Sequence, residues 1–520
     1  MKRRTFLAGL SVAGIGLPMY SFASRGPGGQ ASAAARAAKG AAARSGGEGA
    51  TAGVTKAIAD FVVNTGYEHL PADLIALGKK SILDALGLSL AGSVRSPIGK
   101  IGHDYLRSLG YGNAPSATNN ASVFGSHLRV PPRFAAFANG MAIHADDFDD
   151  TQLSSDPTRV YGLLTHPTVT ALPSALAVAE AENRSGRDFM LAYHLAVEVE
   201  TKIAEAIDPR HYEDGFHSTG TCGVFGAAAA AAKLRGLDVE RVREAFGLAG
   251  AQSSGLRENF GTMTKPFQAG HAAEGGVTSA DLVALGWTAA DNILEAKRGF
   301  FHAAGGGFDP APLERIGQPW TMVKPGVSIK PFPSGSLTHP GMTLMQQLIR
   351  ANHLKASDIE KVRVGASKHM INTLLYHRPK TGLEGKFSME FCMAILLVNG
   401  GTASLADFQD AVVMRPEVQA MIGKVDFYDS AEADRIGLDK MHTVIDVTLK
   451  NGRTLSGKID YGKGSPQSPM SFDDVVEKFM GSARYAGWST GTAKKLVDAV
   501  KNLESLEHVS TLTAWMRPAS

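Results

Sequence analysis

The chain has 520 residues, of which 44% are hydrophobic and 20% charged, a composition typical of a globular protein with two or three domains. The formal net charge of +3 is unevenly distributed, because residues 1–52 carry +6 and the rest therefore −3. A mildly acidic body gives no electrostatic basis for nucleic-acid binding. Neither Cys222 nor Cys392 belongs to a CxxC pattern, which excludes a metal centre built from cysteine alone. Their positions do not indicate whether they pair.

The N-terminal segment MKRRTFLAGLSVAGIGLPMYSFA has a basic start, the twin arginine Arg3-Arg4 and a short apolar stretch. Because this stretch is interrupted by glycines and Pro18, a signal peptide is favoured over a membrane anchor. We predict a Tat-type signal peptide over residues 1–30, a periplasmic mature protein and no stable membrane insertion. Residues 31–52 are rich in Ala and Gly and are predicted to form a flexible leader.

From about residue 54 to 310 the hydrophobic pattern is that of helices, as in DLIALGKKSILDALGLSLAG and RDFMLAYHLAVEVETKIAEAI. The run PPRFAAFANGMAI predicts a buried helix that leads directly into the acidic sequence HADDFDDTQ. The run TCGVFGAAAAAAKLRG is apolar on nearly every face, which predicts a central helix packed on all sides.

The helical hydrophobic pattern ends near residue 325, where the Pro-, Gly- and Ser-rich run KPGVSIKPFPSGSLTHP indicates a linker or structured loop. Alternating segments follow, including EKVRVGA and a hairpin in which Asn451-Gly452 separates HTVIDVTLK from RTLSGKIDYG. The fold class predicted is therefore mainly α with an inserted α+β domain. The α+β domain is assigned to residues 328–467, and a large all-helical domain is assigned to residues 53–327 and 468–520.

The acidic sequence HADDFDDTQ has three interpretations. It could be a solvated loop after a helix. It could be a DDxxD motif in which Asp146, Asp147 and Asp150 hold magnesium, although the second acidic motif and the basic diphosphate pocket that such a site needs are not evident. It could also be an acid/base site. If the helix continues through the block, Asp147 and Thr151 lie one turn apart and His144 shares their face.

Histidines in loop-like contexts favour the acid/base interpretation. His166 lies in LLTHPT, His217 in DGFHSTGTCG and His339 in SGSLTHP. Each alone is more often structural than catalytic, but three in Gly/Ser/Thr/Pro-rich loops favour a site. Lys265 in GTMTKPFQAGHAA has no acidic neighbour in sequence, so it is either a surface lysine or a cation and proton donor for a substrate carboxylate.

Other chemistries lack their motifs. The sequence contains no GxGxxG that opens a helix after a strand, and no GxxxxGK[ST], GxSxG or HExxH. Nicotinamide, nucleotide, serine-hydrolase and zinc-protease functions are therefore unsupported.

Seven segments in order resemble the MmgE/PrpD family: HADDFDDT, HPT, FHSTGTCGVFGAAAAAAKLRGL, GTMTKPFQAGHAA, KPFPSGSLTHP, KFSMEFCMA and GKGSPQSPMSFDDVVEKF. The resemblance covers about residues 54–510. It implies a helical domain with an inserted α+β lid and assembly as a homodimer. It also implies a small polycarboxylate as substrate and no metal or organic cofactor. Dehydration, decarboxylation and epimerisation of such acids all occur in the family.

The resemblance also implies roles for individual residues and no metal ligand. Catalytic roles fall on Asp147, His166, His217, Lys265 and His339, and substrate contacts on Thr151, Lys330, Ser334 and Phe391.

Two departures from the family stand out. The segment QLSSDPTRVYGLLT before His166 is longer than in some relatives, which puts the pairing of that histidine in question. Many relatives have a tyrosine where this chain has Phe391. Because a hydroxyl donor is lost there, we predict inefficient decarboxylation of cis-aconitate.

The sequence as a whole predicts an exported, cofactor-independent lyase, either a dehydratase or a decarboxylase. It would transfer a proton next to a carboxylate of a small di- or tricarboxylate. His166 and His217 are candidates for acid and base without assignment between them. An epimerase of a small dicarboxylate and a non-catalytic carboxylate-binding envelope protein are the alternatives.

Overall fold

The computed structural model describes residues 53–112, 120–153 and 165–518. The predicted signal peptide and leader lie outside these ranges. The described residues, from 53 to 518, belong to one compact unit. None of the helices in the described ranges combines the length and the apolar character needed to cross a bilayer.

The first part of the unit is helical apart from one two-stranded ladder, in which β1 (Ala121–Ser122) pairs with β2 (Arg129–Val130). Its helices are α1 (Val54–Asn64), α2 (Ala72–Arg95), α3 (Pro97–Ser108), α4 (Pro132–His144), α5 (Thr168–Ala181), α6 (Gly186–Ala206), α7 (Arg210–Glu213), α8 (Ser218–Leu234), α9 (Val239–Gly250), α10 (Thr264–Ala284), α11 (Phe300–Gly305) and α12 (Ala311–Glu314).

The predicted central helix is α8, in which every residue except Lys233 is buried. It packs against α6 and α10, and small residues allow the close approach. A Cβ on Gly276 of α10 would lie 2.4 Å from the Cβ of Ala227. Helix α10 also crosses α4, where a Cβ on Gly270 would lie 2.5 Å from the carbonyl oxygen of Phe137. This crossing brings the start of α10 close to the acidic sequence that follows α4.

The second part contains a four-stranded mixed sheet, in which the strands lie in the order β4 (Val425–Asp429), β3 (Ile359–Ala366), β5 (Thr443–Leu449) and β6 (Thr454–Ile459). Strand β3 pairs in parallel with β4 and antiparallel with β5, and β5 and β6 form the predicted hairpin, with Gly452 at φ 83° in its turn. The elements are α13 (His339–Asn352), β3 (Ile359–Ala366), α14 (Lys368–Thr373), α15 (Gly382–Gly385), α16 (Met389–Val398), α17 (Asp410–Val413), α18 (Pro416–Ile422), β4 (Val425–Asp429), α19 (Ala431–Ile436), β5 (Thr443–Leu449) and β6 (Thr454–Ile459).

The chain ends in three further helices, α20 (Phe472–Ala486), α21 (Thr490–Lys501) and α22 (Ser510–Ala514). Helix α20 packs against α2, so the C-terminal end returns to the first helices.

Two hydrophobic clusters account for most of the interior. The larger one takes its residues from 54–329 and 470–516 together with Leu405, and the smaller one from 332–449. The mainly α prediction is confirmed, with a small mixed sheet. The domain boundaries at residues 328 and 467 stay a prediction. Both cysteines are buried free thiols.

Candidate active site

The acidic sequence forms a buried turn after α4. The helix ends at His144, and Asp147 adopts a left-handed φ of 49°, so the helix does not continue to Thr151, which was the condition for placing Asp147, Thr151 and His144 on one helical face. Asp147, Asp149 and Asp150 are each at most 4% exposed, which rules out the solvated-loop interpretation. Buried carboxylates require partners, and the surrounding elements supply them.

Two lysines hold Asp147. The Nζ of Lys265 contacts its Oδ1, and the Nζ of Lys330 lies 3.2 Å from the same oxygen. Burial raises the pKa of Asp147, but the two ammonium groups outweigh burial and hold this pKa below its ordinary value. Burial lowers the pKa of the Lys265 ammonium. Lys265 lies in the first turn of α10.

Asp149 connects two histidines. Its Oδ1 lies 2.9 Å from His144 Nδ1, and its Oδ2 lies 2.7 Å from His166 Nδ1. His166 Nδ1 also forms a hydrogen bond with the carbonyl oxygen of Asp150 at 3.0 Å. Because carbonyl oxygens and ionised carboxylates only accept hydrogen bonds, both Nδ1 atoms carry the proton and both Nε2 atoms keep a lone pair. Burial raises the pKa of Asp149, but the two histidines hold it below its usual value. The sequence analysis did not single out Asp149, whose only signal was its place in the acidic sequence.

His166 belongs to this cluster despite the longer segment before it, of which residues 154–164 lie outside the described ranges. Its Nε2 is 4.0 Å from Asp147 Oδ1, and its backbone N–H donates to Thr219 Oγ1 at 3.0 Å. Burial, with the nearby Lys265 ammonium, lowers its pKa to about 3. The imidazole is therefore neutral at physiological pH.

His217 is the N-cap residue of α8, as its predicted place before the central helix implied. Its Nδ1 lies 2.6 Å from Gln268 Oε1, and the amide nitrogen of Gln268 donates to the carbonyl of Leu256 at 3.1 Å. This orientation of the amide makes His217 Nδ1 the donor. Within the described part of the chain, its buried Nε2 has no hydrogen-bond partner. Burial and the Lys265 charge hold the pKa of His217 well below its ordinary value.

Three of the predicted residues, Asp147, His166 and Lys265, line one cavity, and the other six do not: Thr151, His217, Lys330, Ser334, His339 and Phe391. His339 is the first residue of α13, not a loop residue, and its Nε2 lies 3.1 Å from the carbonyl of Ser334. Phe391 is fully buried in the smaller cluster, where its ring packs edge-on to Phe408 at 5.1 Å. The expectation that Phe391 faces the substrate is therefore wrong, and Phe387 lines the cavity instead.

The cavity is small, about 30 Å³. This volume holds a water molecule or two, whereas small-molecule sites usually measure about 300–1,000 Å³. A polycarboxylate therefore requires the lining residues to separate. They come from both sides of residue 328 and are Asp147, His166, Tyr212, Phe260, Lys265, Gly335, Ser336, Leu337, Thr373, Leu374 and Phe387.

Predicted substrate contacts frame the cavity. Thr151 forms an antiparallel bridge with Ser328, and its hydroxyl accepts a hydrogen bond from Ser336 Oγ at 2.9 Å. The ammonium of Lys330 is almost fully buried beside Asp147. These contacts join the acidic turn to the segment that begins at residue 328.

The DDxxD interpretation does not fit the geometry, because its three carboxylates do not converge. Asp150 accepts a hydrogen bond from Thr168 N at 3.1 Å, and Asp146 pairs with Lys386. A different group, His144, Asp147, Asp149 and His166, has ligand atoms within 4.8 Å of one another. In that group Asp147 Oδ1 pairs with two lysines and Asp149 Oδ1 with His144. Within the described residues, His144 Nε2, Asp147 Oδ2 and Asp149 Oδ2 are buried without a hydrogen-bond partner. A metal-free site stays our prediction.

We expect acid to destabilise the protein. Burial lowers the pKa of His166 and His339 to about 3 and of His194 and His211 to about 4, against 6.5 for an unperturbed histidine. Below pH 6.5 each of these four histidines binds more protons in the unfolded chain than in the folded one, so their contribution to stability is lost as pH falls from 6.5 towards 3. Burial raises the pKa of Asp150 and Glu198 to about 7, which acts in the opposite direction, but the four histidines outnumber these carboxylates. Melting temperatures measured from pH 7.5 to 4 should fall on the acid side. A constant melting temperature over this range would contradict the neutral, buried state of these histidines.

Comparison with known protein families shows which family this chain belongs to. The MmgE/PrpD N-terminal domain matches residues 56–313 and the MmgE/PrpD C-terminal domain matches residues 332–504. The chain belongs to the MmgE/PrpD family. It is 29% identical over 481 residues to a cis-aconitate decarboxylase of Homo sapiens, a match that covers 90% of this chain and 95% of the relative. It is 26% identical over 485 residues to a cis-aconitate decarboxylase of Aspergillus terreus, covering 89% and 96% of the two chains. The prediction of an MmgE/PrpD-like lyase is confirmed.

Proposed function

We propose that this member of the MmgE/PrpD family is a carboxy-lyase that decarboxylates cis-aconitate or a closely similar tricarboxylate. The observation that carries the proposal is the cavity itself, where the buried Lys265 ammonium lies beside Asp147 and His166. Lys330 supplies a second buried ammonium next to the same carboxylate. The relatives named as cis-aconitate decarboxylases support the choice of reaction.

The reaction requires one proton and no oxidant. When the carboxylate on the methylene carbon of cis-aconitate leaves as CO2, its bonding electrons form a new double bond to the central carbon. The original double bond shifts its electrons to the vinylic carbon, which takes up a proton. The products are CO2 and a methylene dicarboxylate. The protein therefore needs a proton donor at that carbon and cations for the other carboxylates.

Lys265 suits the role of donor, because burial lowers the pKa of its ammonium. The neutral imidazoles of His166 and His217 cannot donate from Nε2 until they have taken up a proton. A bound trianion raises the pKa of every nearby base, so substrate binding draws a proton into the cluster. We assign His217 the role of accepting this proton and returning it to Lys265 or to the substrate.

Closure around the substrate follows from the size of the cavity. The lining contains Gly335, Ser336, Leu337, Thr373, Leu374 and Phe387 from the segment that begins at residue 328. In our proposal this segment, residues 328–467, acts as a lid that opens for substrate and then excludes water. A dry site strengthens the attraction between the lysines and the substrate carboxylates.

The test is to incubate the purified protein with cis-aconitate in deuterated water and follow products by NMR. We expect release of CO2 and one deuterium on the methylene carbon next to a carboxylate of the product. The rate should not change after EDTA treatment, since no step requires a metal. Deuterium exchange without CO2 release would instead support the epimerase alternative. Binding without exchange would support a carboxylate-binding protein.

Export by the Tat route is a further part of the proposal, supported by Arg3-Arg4 and the apolar stretch that follows. Replacing both arginines by lysine should retain the protein in the cytoplasm of a producing bacterium. Cell fractionation and immunoblotting measure this distribution. Unchanged export of the double variant would remove the Tat assignment and leave the enzymatic proposal unaffected.

A homodimer is also proposed, with an apolar face on α3 and α10 as its contact. Ile101, Tyr105, Met263 and Phe267 are between 44% and 55% exposed, and they border one groove. These exposed apolar side chains form one contiguous patch, and a second copy of the chain would remove this patch from water. Light scattering coupled to gel filtration should give twice the chain mass for the wild type and a smaller mass for Phe267→Asp.

A further inference from the structure

Three consecutive carbonyl oxygens in the acidic turn each accept a hydrogen bond from a buried lysine. Lys386 Nζ donates to the carbonyl of Asp146 at 2.8 Å. Lys330 Nζ donates to the carbonyl of Asp147 at 2.7 Å, and Lys478 Nζ to the carbonyl of Phe148 at 2.7 Å. We call these three lysines the carbonyl clamp.

The location of the clamp has a physical reason. Helix α4 ends just before the turn, and the carbonyls at and after a helix C-terminus carry partial negative charge that favours cations. Asp147 turns the chain in the left-handed region, which is unfavourable for a residue with a side chain. Three charge-assisted hydrogen bonds on one turn offset that cost and fix the direction of the Asp147 carboxylate.

The three lysines come from distant parts of the chain. Lys478 lies in the C-terminal helix α20 and also pairs with Asp84 of α2 at 2.7 Å, so it joins two helices of the larger hydrophobic cluster. Lys330 contacts the Asp147 carboxylate itself. Lys386 alone belongs to the segment between α15 and α16, next to the cavity residue Phe387.

Lys386 connects three parts of the cavity wall. Its side chain is 3% exposed, and its ammonium also lies 3.2 Å from Asp146 Oδ1. Its own carbonyl accepts a hydrogen bond from the N–H of Gly335 at 2.8 Å. The next residue, Phe387, presents its ring 5.5 Å from the Lys265 ammonium. An opening movement that carries Gly335 and Phe387 away from Lys265 would therefore displace Lys386 relative to the acidic turn.

We infer that Lys386 is a positioning residue, which sets the orientation of Asp147 through Asp146 only when the segment carrying Phe387 is seated against the acidic turn. This role also assigns a function to Asp146, because its side chain pairs with Lys386 and would hold that lysine in place without contacting the substrate. The expected effect of Lys386 on kcat rests on the proposed function. Its expected effect on the acidic turn rests on the contacts alone.

The test compares Lys386→Met with Lys424→Met by hydrogen–deuterium exchange. Lys424 is a matched control, because its ammonium also donates to a backbone carbonyl, that of Ile359, away from the turn. In Lys386→Met we expect amides within residues 145–152 to exchange at least about tenfold faster, as loss of a charge-assisted hydrogen bond implies. Lys424→Met should leave this segment unchanged. Exchange within twofold of the wild type in Lys386→Met, or equal acceleration in both variants, would overturn the inference.

Two further measurements keep the test decisive. If Lys386→Met does not fold, Asp146→Ala replaces it, since this variant keeps the backbone carbonyl and removes only the carboxylate. It should also accelerate exchange in residues 145–152, and unchanged exchange there would count against Lys386. With cis-aconitate as substrate, Lys386→Met should lower kcat about tenfold or more with KM changed less than threefold. An inactive wild type with the expected exchange pattern would refute the proposed function and leave the role of Lys386 intact.

Discussion

Replacing Lys265 by methionine should lower kcat for decarboxylation by about a thousandfold or more. Methionine keeps most of the side-chain volume and removes the ammonium that we assign as proton donor. Lys330 remains 3.2 Å from Asp147 Oδ1, so the carboxylate keeps a charged partner and the fold should survive. The rate of CO2 release at pH 7, measured at saturating substrate, gives the effect directly.

Lys202→Met is the matched control for this variant. Lys202 is also a buried lysine paired with carboxylates, at 3.9 Å from Glu198 and 3.5 Å from Glu205, and it does not line the cavity. It should lose stability without a comparable loss of kcat. If Lys265→Met kept more than a tenth of the wild-type kcat, Lys265 would have no part in proton transfer.

Much of the fold follows from local patterns in the sequence. The apolar Ala-rich run became the buried helix α8, and Asn451-Gly452 became the hairpin turn between β5 and β6. Strand β4 was not predicted, because VDFYD shows no clean alternation and its partner β3 is distant in sequence. Parallel pairing of this kind leaves no local signal.

The sequence identified several of the site residues, but it did not show how their side chains are arranged. Lys265 and Asp147 were both identified, but their contact spans 118 positions and depends on how α4 crosses α10. The left-handed conformation of Asp147 was not predicted, since only tertiary contacts stabilise it there. Phe387 precedes α16 and lines the cavity, whereas Phe391 lies in the first turn of α16 and packs into the smaller cluster, and the sequence alone does not show where this helix begins relative to the cavity. The inefficient decarboxylation predicted from Phe391 loses its premise for this reason.

His217→Asn tests the second proton-transfer group, with an expected loss in kcat of about a hundredfold or more. The asparagine amide nitrogen can replace Nδ1 as donor to Gln268 Oε1, which lies 2.6 Å from it in the wild type. The variant therefore keeps the structural hydrogen bond and removes only Nε2, the atom that has no partner within the described residues. Because His217 caps α8 through its backbone, helix formation should not change.

His211→Asn distinguishes catalysis from folding. Both ring nitrogens of His211 are already hydrogen-bonded, Nδ1 to the Ala304 carbonyl at 2.9 Å and Nε2 to Thr221 Oγ1 at 2.7 Å. This variant loses a buried hydrogen bond and should melt at a lower temperature while its kcat stays within about threefold of the wild type. His217→Asn should show the opposite pattern, with a melting temperature close to the wild type and a large loss of turnover. If both variants lost stability and turnover in parallel, His217 would be a structural histidine, and proton return would have to pass through His166 alone.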